Sequence, residues 1–252
     1  MNASTTPGAT TGEPVRAELQ GTTYRILLDR PDCGNLVTSA MVDLLHQAVT
    51  GLPREAKLLV LCGAGADFCK GRDYAHAPEQ GTAGRAPSAT AIRANMTAPI
   101  TALYGAIHRV PVPTLALVQG VAQGFGTALA GSCDITVASD DATFRLPEMG
   151  GGLPPTLAMT ALWPRAIASL PWLVYTGGTM IAMRAREAGL VDEVVAAGAL
   201  ASRGEAIATT IGTQPPEAIA AVKEYLLAAR ESGPDARAAL GASLFAGVLS
   251  SR

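Results

Sequence analysis

Glu148 is a carboxylate in a setting that could suit it to move a proton. It follows Leu146-Pro147 and lies in an apolar, glycine-rich stretch that runs from Phe144 through Met149, Gly150, Gly151 and Gly152 to Leu153. Poor solvation disfavours an ionised carboxylate and lifts its pKa towards that of a useful general base. Most glutamates are solvated at the surface, but this setting argues for a working carboxyl. Two other segments offer backbone chemistry. Phe68-Cys69-Lys70-Gly71-Arg72-Asp73 follows an apolar run and puts a tight turn at Gly71, while Gly124 and Gly126 stand where a second run gives way to a small-residue helix. Glycine lets a backbone approach a ligand closely. N–H groups at a helix start lack an intrahelical acceptor, and the helix dipole strengthens their pull on negative charge. One such N–H from each turn would make an oxyanion hole.

Other chemistries find no support. Gly63-Ala64-Gly65 follows a strand-like run, but Phe68 occupies the third glycine position of a dinucleotide fingerprint. Neither a GxxxxGK[ST] phosphate loop nor a GxSxG elbow occurs. His46, His76 and His108 are far apart and show no metal-ligand spacing, and no metal site is expected. His46 and His108 fall in amphipathic helical patterns, where structural or surface roles are the plainer reading.

Leu59–Asp73 (LVLCGAGADFCKGRD) and Val118–Gly152 (VQGVAQGFGTALAGSCDITVASDDATFRLPEMGGG) together resemble the crotonase (enoyl-CoA hydratase/isomerase) superfamily. Its members carry F-[CS]-x-G-x-D after a strand, then G-x-A-x-G-x-G, C-D and F-x-x-P-E in that order. LLDRPDCGN is similar to the family's L-x-R-P-x-x-x-N turn, and TGGTMIAMRAREAGLVDEVV resembles a downstream family stretch, so the likeness runs from about Arg25 to Val195. Each piece alone is weak; four in order and spacing are specific. The resemblance implies an α/β fold with a crotonase-like ββα spiral core over residues 15–195 and a helical C-terminal trimerisation region over 196–252. Residues 1–14, without a basic start or an apolar core, read as a flexible tail.

The resemblance also implies the chemistry. The oxyanion-hole donors would be the backbone amides of Arg72 and Phe125, and losing one would cost roughly 2.7–4 kcal/mol of barrier. Lys70 would hold the adenine of coenzyme A through its backbone carbonyl, Asp73 would support it, and Gly71, Gly124 and Gly126 would shape the substrate's seat. Coenzyme A enters as the carrier of the substrate, and no separate cofactor is expected. Hydratases of the family use two glutamates. Glu148 matches one; Ala128 stands at the other. Hydration needs water gripped and deprotonated as well as a proton delivered to carbon, whereas double-bond isomerisation needs one base and a stabilised dienolate. Isomerisation is therefore the favoured activity. Pro155-Thr156-Leu157-Ala158, where hydratases have a glycine-rich helix start, points the same way. The alternatives are an atypical enoyl-CoA hydratase or dehydratase, an acyl-thioester decarboxylase, and a non-catalytic acyl-CoA-binding subunit. Phe125 departs from the usual glycine, and its ring would narrow the acyl pocket or fill the core. The side chains of Arg72, Asp73, His76 and Glu79 are near enough in sequence to reach that pocket, although His76 reads more plainly as a solvated loop residue.

These groups must be positioned by elements that the patterning suggests. Ala17–Asp29 reads as a strand pair turning at Gly21. Thr38-Ser39 can cap a helix that buries Met41, Leu44, Leu45, Ala48 and Val49. Lys57–Cys62, Pro113–Val118 and Asp134–Ala138 read as buried strands, with helices at Ile100–His108 and Thr127–Gly131 between them. Strand–helix–strand alternation implies a largely parallel sheet. Residues 77–91 read as loop. Beyond Thr156 the strand signals fade, and Ile181–Ala188, Ala199–Ile211 and Pro216–Ala229 carry helical spacing.

Composition fits that class. In 252 residues, 48% are hydrophobic and 16% charged, which excludes wholesale disorder. A formal net charge of −2 leaves no basic excess for phosphates, so nucleic-acid binding is not expected. The longest apolar candidate, 111–130, is broken by Pro113, Gln119, Gly120, Gln123, Gly124 and Gly126, so no membrane span is expected. Cys33, Cys62, Cys69 and Cys133 form no CxxC pair and suit a reducing cytoplasm. The expected partner is an acyl-CoA or acyl-carrier-protein thioester. The family's last CoA-covering helix looks shortened before Arg252, so either a partner subunit supplies the cover or the carrier is a protein-bound phosphopantetheine. A homotrimer or dimer of trimers is the implied assembly.

Overall fold

A computed structural model describes residues 12–73 and 88–250. The chain opens with a hairpin of β1 (Val15–Gln20) and β2 (Thr23–Leu28), turning at Gly21 with φ +60° as the sequence suggests. Helix α1 (Ser39–Thr50) starts where Thr38 accepts a hydrogen bond from the Met41 amide at 3.2 Å. It buries Met41, Val42, Leu45 and Val49. Leu44, expected inside, is 38% exposed. Packing of α1 on its neighbours rotates the buried stripe towards Val42, which periodicity alone does not fix. Strand β3 (Leu58–Gly63) follows.

Within the stretch read as loop, 89–91 are helical: Ser88 caps α2 (Ala89–Ile92) by accepting from the Ala91 amide at 3.2 Å. This helix runs through a π turn, Arg93–Thr97, into α3 (Ala98–Arg109). Pro99 near the start of α3 has no N–H to give and crowds the preceding turn, a physical cause for the wider coil there. Next come β4 (Thr114–Val118), β5 (Val121–Gln123), α4 (Phe125–Gly131), β6 (Ile135–Ser139) and β7 (Thr143–Arg145). Helix α4 begins two residues before the expected Thr127. The remainder is α5 (Thr156–Leu162), α6 (Leu170–Thr176), β8 (Met180–Ile181), α7 (Ala182–Glu187), β9 (Glu193–Val195), α8 (Leu200–Gly212), α9 (Pro216–Ala229) and α10 (Pro234–Ser250).

The strands make two sheets. One has the order β1-β2-β3-β4-β6-β9 and is parallel apart from β1; the other has the order β5-β7-β8. Each turn of the chain places a strand in the first sheet, an extended segment in the second and then a helix: β4, β5, α4 and β6, β7, α5. The preceding turn does the same with less, because Cys69 alone bridges Ala122 after β3. The α/β architecture with a ββα spiral is therefore present. The short strands β8 and β9 correct the expectation that strands end before Thr156. They are paired by tertiary contacts, Phe144 to Met180 and Ala138 to Val194.

One face of the large sheet packs on α1 and α3 around Ile26, Leu45, Leu59 and Leu103, each fully buried. Burying such a side chain is worth about 1.5–3 kcal/mol. The other face buries Leu58, Val60, Leu115, Leu117 and Val137 against Leu200 and Ala208 of α8. Gly204 permits this approach, since a Cβ there would stand 2.6 Å from Leu117 Cδ1. Helix α9 is tied on by Lys223, 4% exposed, whose Nζ pairs with Asp134. Helix α10 has no buried residue and carries exposed Phe245 and Leu249. Among the described residues no helix is long and apolar enough to cross a membrane.

Candidate functional site

The first turn is held by a residue whose role the sequence did not reveal. Asn35 is fully buried, with φ +55°. Its side-chain amide donates to the carbonyls of Ala64 (2.9 Å), Asp67 (2.8 Å) and Phe68 (3.2 Å), and its Oδ1 accepts from the Arg30 amide at 2.8 Å. Asn35 tolerates the left-handed backbone better than most residues, and it stitches the LLDRPDCGN turn onto the end of β3. Beyond it, Cys69 pairs with Ala122 whereas Arg72 pairs with Val37. Gly71, at φ +110°, lies between and lets the chain change partners. The Val37 ladder uses the Gly71 carbonyl and the Asp73 amide, each at 2.9 Å. The amide of Arg72 itself therefore points to the opposite edge.

The second turn presses against the first. A Cβ on Gly71 would come within 3.2 Å of the Gln123 carbonyl, and one on Gly126 would clash with the Cys69 carbonyl at 2.1 Å. Gly124, at φ +53°, links β5 to α4, and its amide donates to the Arg145 carbonyl at 2.8 Å. Thr127 fastens the turn from inside, donating from Oγ1 to the Ala122 carbonyl at 2.8 Å. Phe125 is the first residue of α4, so its N–H has no acceptor within the helix. The Arg72 guanidinium carbon stands 5.8 Å from the Phe125 ring centroid, so the two residues that the sequence paired are neighbours.

Glu148 opens a short 3-10 turn after β7 and folds back over the second turn. A Cβ on Gly124 would lie 2.7 Å from Glu148 Oε1. Its Oε2 is buried without a hydrogen-bond partner among the described residues. Burial raises the pKa of this carboxyl, opposed in part by its own backbone N–H. Phe144 and Leu146 are fully buried, whereas Met149 and Leu153 are exposed, so only the first half of the apolar stretch around Glu148 is dry. Ala128, whose amide bonds the Gly124 carbonyl at 3.0 Å, brings only a methyl group to the next turn of α4.

Several expected side chains are engaged elsewhere. The Arg72 guanidinium donates to the Thr38 carbonyl (2.9 Å) and Ser39 Oγ (3.0 Å) at the start of α1. Asp73, 7% exposed, pairs with Arg30 at 3.1 Å and so braces the turn. Lys70 lays its stem over Gly34 and pairs with Asp67 at 2.7 Å, which leaves only its backbone for other work. The Cys69 thiol is buried and its pKa is pushed up to about 12, so it is no nucleophile. The Phe125 ring, 5% exposed, packs in the core against Tyr104, a residue the sequence did not single out. His76 and Glu79 lie outside the described residues. Among those described, no cluster of His, Cys, Asp or Glu could hold a metal ion, and all four cysteines are unbridged.

A separate groove lies between α1, α3 and α9 at the starting ends of β3 and β4. Glu148 does not line it, and its Lys57 already donates to the carbonyls of Gly212 and Gln214, each at 2.9 Å. Two crossed turns, a buried carboxyl and a helix start can together polarise a carbonyl and shuttle a proton beside it.

Comparison with known proteins gives the family. The family model described as Enoyl-CoA hydratase/isomerase matches residues 18–251. A Mycobacterium tuberculosis protein named "Probable enoyl-CoA hydratase echA8" is 32% identical over 211 residues, covering 82% of this chain and 78% of that protein. The crystal structure of an enoyl-CoA hydratase from Mycobacterium smegmatis superposes with a TM-score of 0.86 at 27% identity, covering 94% of this chain and 91% of that one. A Thermobifida fusca relative solved in complex with CoA gives 0.85 at 27% identity, covering 94% and 93%.

Proposed function

Because the chain belongs to the enoyl-CoA hydratase/isomerase family, we propose that it acts on an acyl-CoA thioester and shifts a double bond along the acyl chain. The carrying observation is Glu148: a half-buried residue with one carboxyl oxygen buried and unpartnered among the described residues, lying over Gly124 with only Ala128 where a second acid would stand. In the proposed cycle the thioester oxygen accepts hydrogen bonds from the amides of Arg72 and Phe125. The Glu148 carboxylate takes a proton from the acyl carbon next to the double bond, giving a dienolate whose negative charge rests on that oxygen. The carboxyl returns the proton to the far carbon of the former double bond, and the new double bond is left one position along. Proton and electrons balance without water or an added cofactor. Gly71 and Gly126 let the two turns press together, as a shared oxygen site requires. Lys70 offers its carbonyl to the adenine, and Asp73 steadies the turn through Arg30. The CoA-bound Thermobifida fusca relative supports coenzyme A as the carrier. A homotrimer or dimer of trimers is proposed with it.

Hydration is the second reading, favoured by the names of relatives. Deuterium exchange separates the two. In deuterium oxide, isomerase chemistry washes label into the α- and γ-carbons of an enoyl-CoA, without hydroxyacyl product, and Glu148→Gln abolishes it. Accumulation of a 3-hydroxyacyl-CoA would establish the hydratase instead. Tight binding with neither exchange nor product would establish a non-catalytic acyl-CoA binder.

A further inference from the structure

Phe125 puts a large ring at one of the two backbone positions that hold the proposed thioester oxygen. The ring is 5% exposed and held from two directions. On one side is Tyr104 of α3, with ring centroids 5.7 Å apart and planes inclined at 32°. On another is the Arg72 guanidinium, 5.8 Å from the centroid. Arg72 is itself fixed to the start of α1 through the Thr38 carbonyl and Ser39 Oγ, at 2.9 and 3.0 Å. Interiors packed this way do not yield by small steps, and off-rotamer rings are costly. The ring is thus a fixed wall on the α1 and α3 side of the turn.

An amide and the side chain of the same residue leave one Cα. An oxygen held by the Phe125 amide is therefore separated from the ring only by the amide nitrogen, Cα and Cβ. We infer that Phe125, braced by Tyr104 and Arg72, sets the acyl length, so that the enzyme takes thioesters of short acyl groups and turns away long unbranched ones. This rests on the proposed oxyanion role of the Phe125 amide and adds the class of substrate. In an open pocket each further methylene that is buried adds about fourfold in affinity. Against a clamped ring that gain is lost, because the added carbons overpack the wall or stay in water.

The test is calorimetric titration of the full chain with butyryl-CoA and octanoyl-CoA, saturated thioesters that undergo no double-bond chemistry. Native protein is expected to bind butyryl-CoA at least about tenfold tighter than octanoyl-CoA, the scale on which such pockets discriminate. Phe125→Leu should narrow that preference and Phe125→Ala should reverse it. The leucine variant keeps most of the packed volume and decides the matter if the alanine variant does not fold. Equal or tighter octanoyl-CoA binding by native protein overturns the inference alone. So does a preference unchanged in the leucine variant. Failure of folded native protein to bind either thioester overturns the proposed function, and the inference with it.

Discussion

Glu148 and Gly124 form a pair in which the missing side chain of one makes room for the carboxyl of the other. A Cβ on Gly124 would sit 2.7 Å from Glu148 Oε1, at a backbone φ of +53° that side chains rarely adopt. Gly124→Ala is therefore expected to displace the carboxyl and lower kcat/KM by roughly 10²-fold, the scale of a misplaced catalytic group. The strained backbone at Gly124, which side chains rarely adopt, adds about 1–3 kcal/mol of lost stability. Steady-state kinetics and thermal melts check both. Gly198→Ala, at a site with no atom within 4 Å of the added carbon, is the comparison that should change neither.

Burial gives Glu148 a pH signature. Its pKa is raised from the ordinary 4.5, so the folded chain keeps that proton to higher pH than the unfolded chain does. Stability from the neutral carboxyl is complete below the ordinary range and declines as pH rises through the raised value. Glu148→Gln, neutral throughout, should melt above native protein at neutral pH and converge with it in acid. In native protein kcat/KM should climb with pH through an inflection above 4.5, as the base ionises. A glutamine variant that melts lower at neutral pH would contradict the burial assignment.

Asn35 holds three carbonyls and accepts one amide. Asn35→Ala leaves those carbonyls buried without their donor, at a cost of at least about 2 kcal/mol. Because Asn35 touches no substrate, the activity loss at a temperature where the variant stays folded should fall mainly on kcat, as the first turn loosens. Asn35→Asp, which keeps the acceptor and loses the donors, should resemble alanine rather than the native residue.

His108 makes the opposite pH contribution. Its Nε2 is buried without a partner among the described residues. Burial, then the charges of Arg230 and Lys223, with a smaller push from Arg109, lower its pKa from 6.5 to about 4, against the pull of Asp134. The folded chain therefore holds this proton less well than the unfolded chain. The stability involved is whole above 6.5 and is lost as pH falls towards about 4. His108→Leu should flatten the melting temperature across that window. An unchanged slope would mean that the imidazole reaches water.

Local chemistry was legible where local chemistry decides the outcome. Thr38 announces its cap, Gly21 its turn, and the runs around Leu59, Leu115 and Val137 their strands, because a buried parallel strand needs an unbroken apolar series. Strands β8 and β9 are two and three residues long and exist only through partners brought from far along the chain. Helix α2 hides because one serine cap is all that marks it. Of the candidate site, the resemblance named Gly124, Gly126 and Glu148, and the structure sets Gly124 against Glu148. The diversion of Arg72 to Thr38, of Asp73 to Arg30 and of Lys70 to Asp67 could not be read in advance, since ion pairs follow tertiary proximity. The same holds for Asn35, whose acceptors lie about thirty positions away.

The turn from β5 into α4 also bears on how this site can diverge. A peptide nitrogen is indifferent to the side chain it carries, so a grip made of main chain survives almost any exchange at position 125. Proline alone erases the hydrogen. Under the proposed mechanism the chemistry stays fixed while the residue bearing the nitrogen drifts, and a phenylalanine there selects among substrates without disturbing the means of activating them.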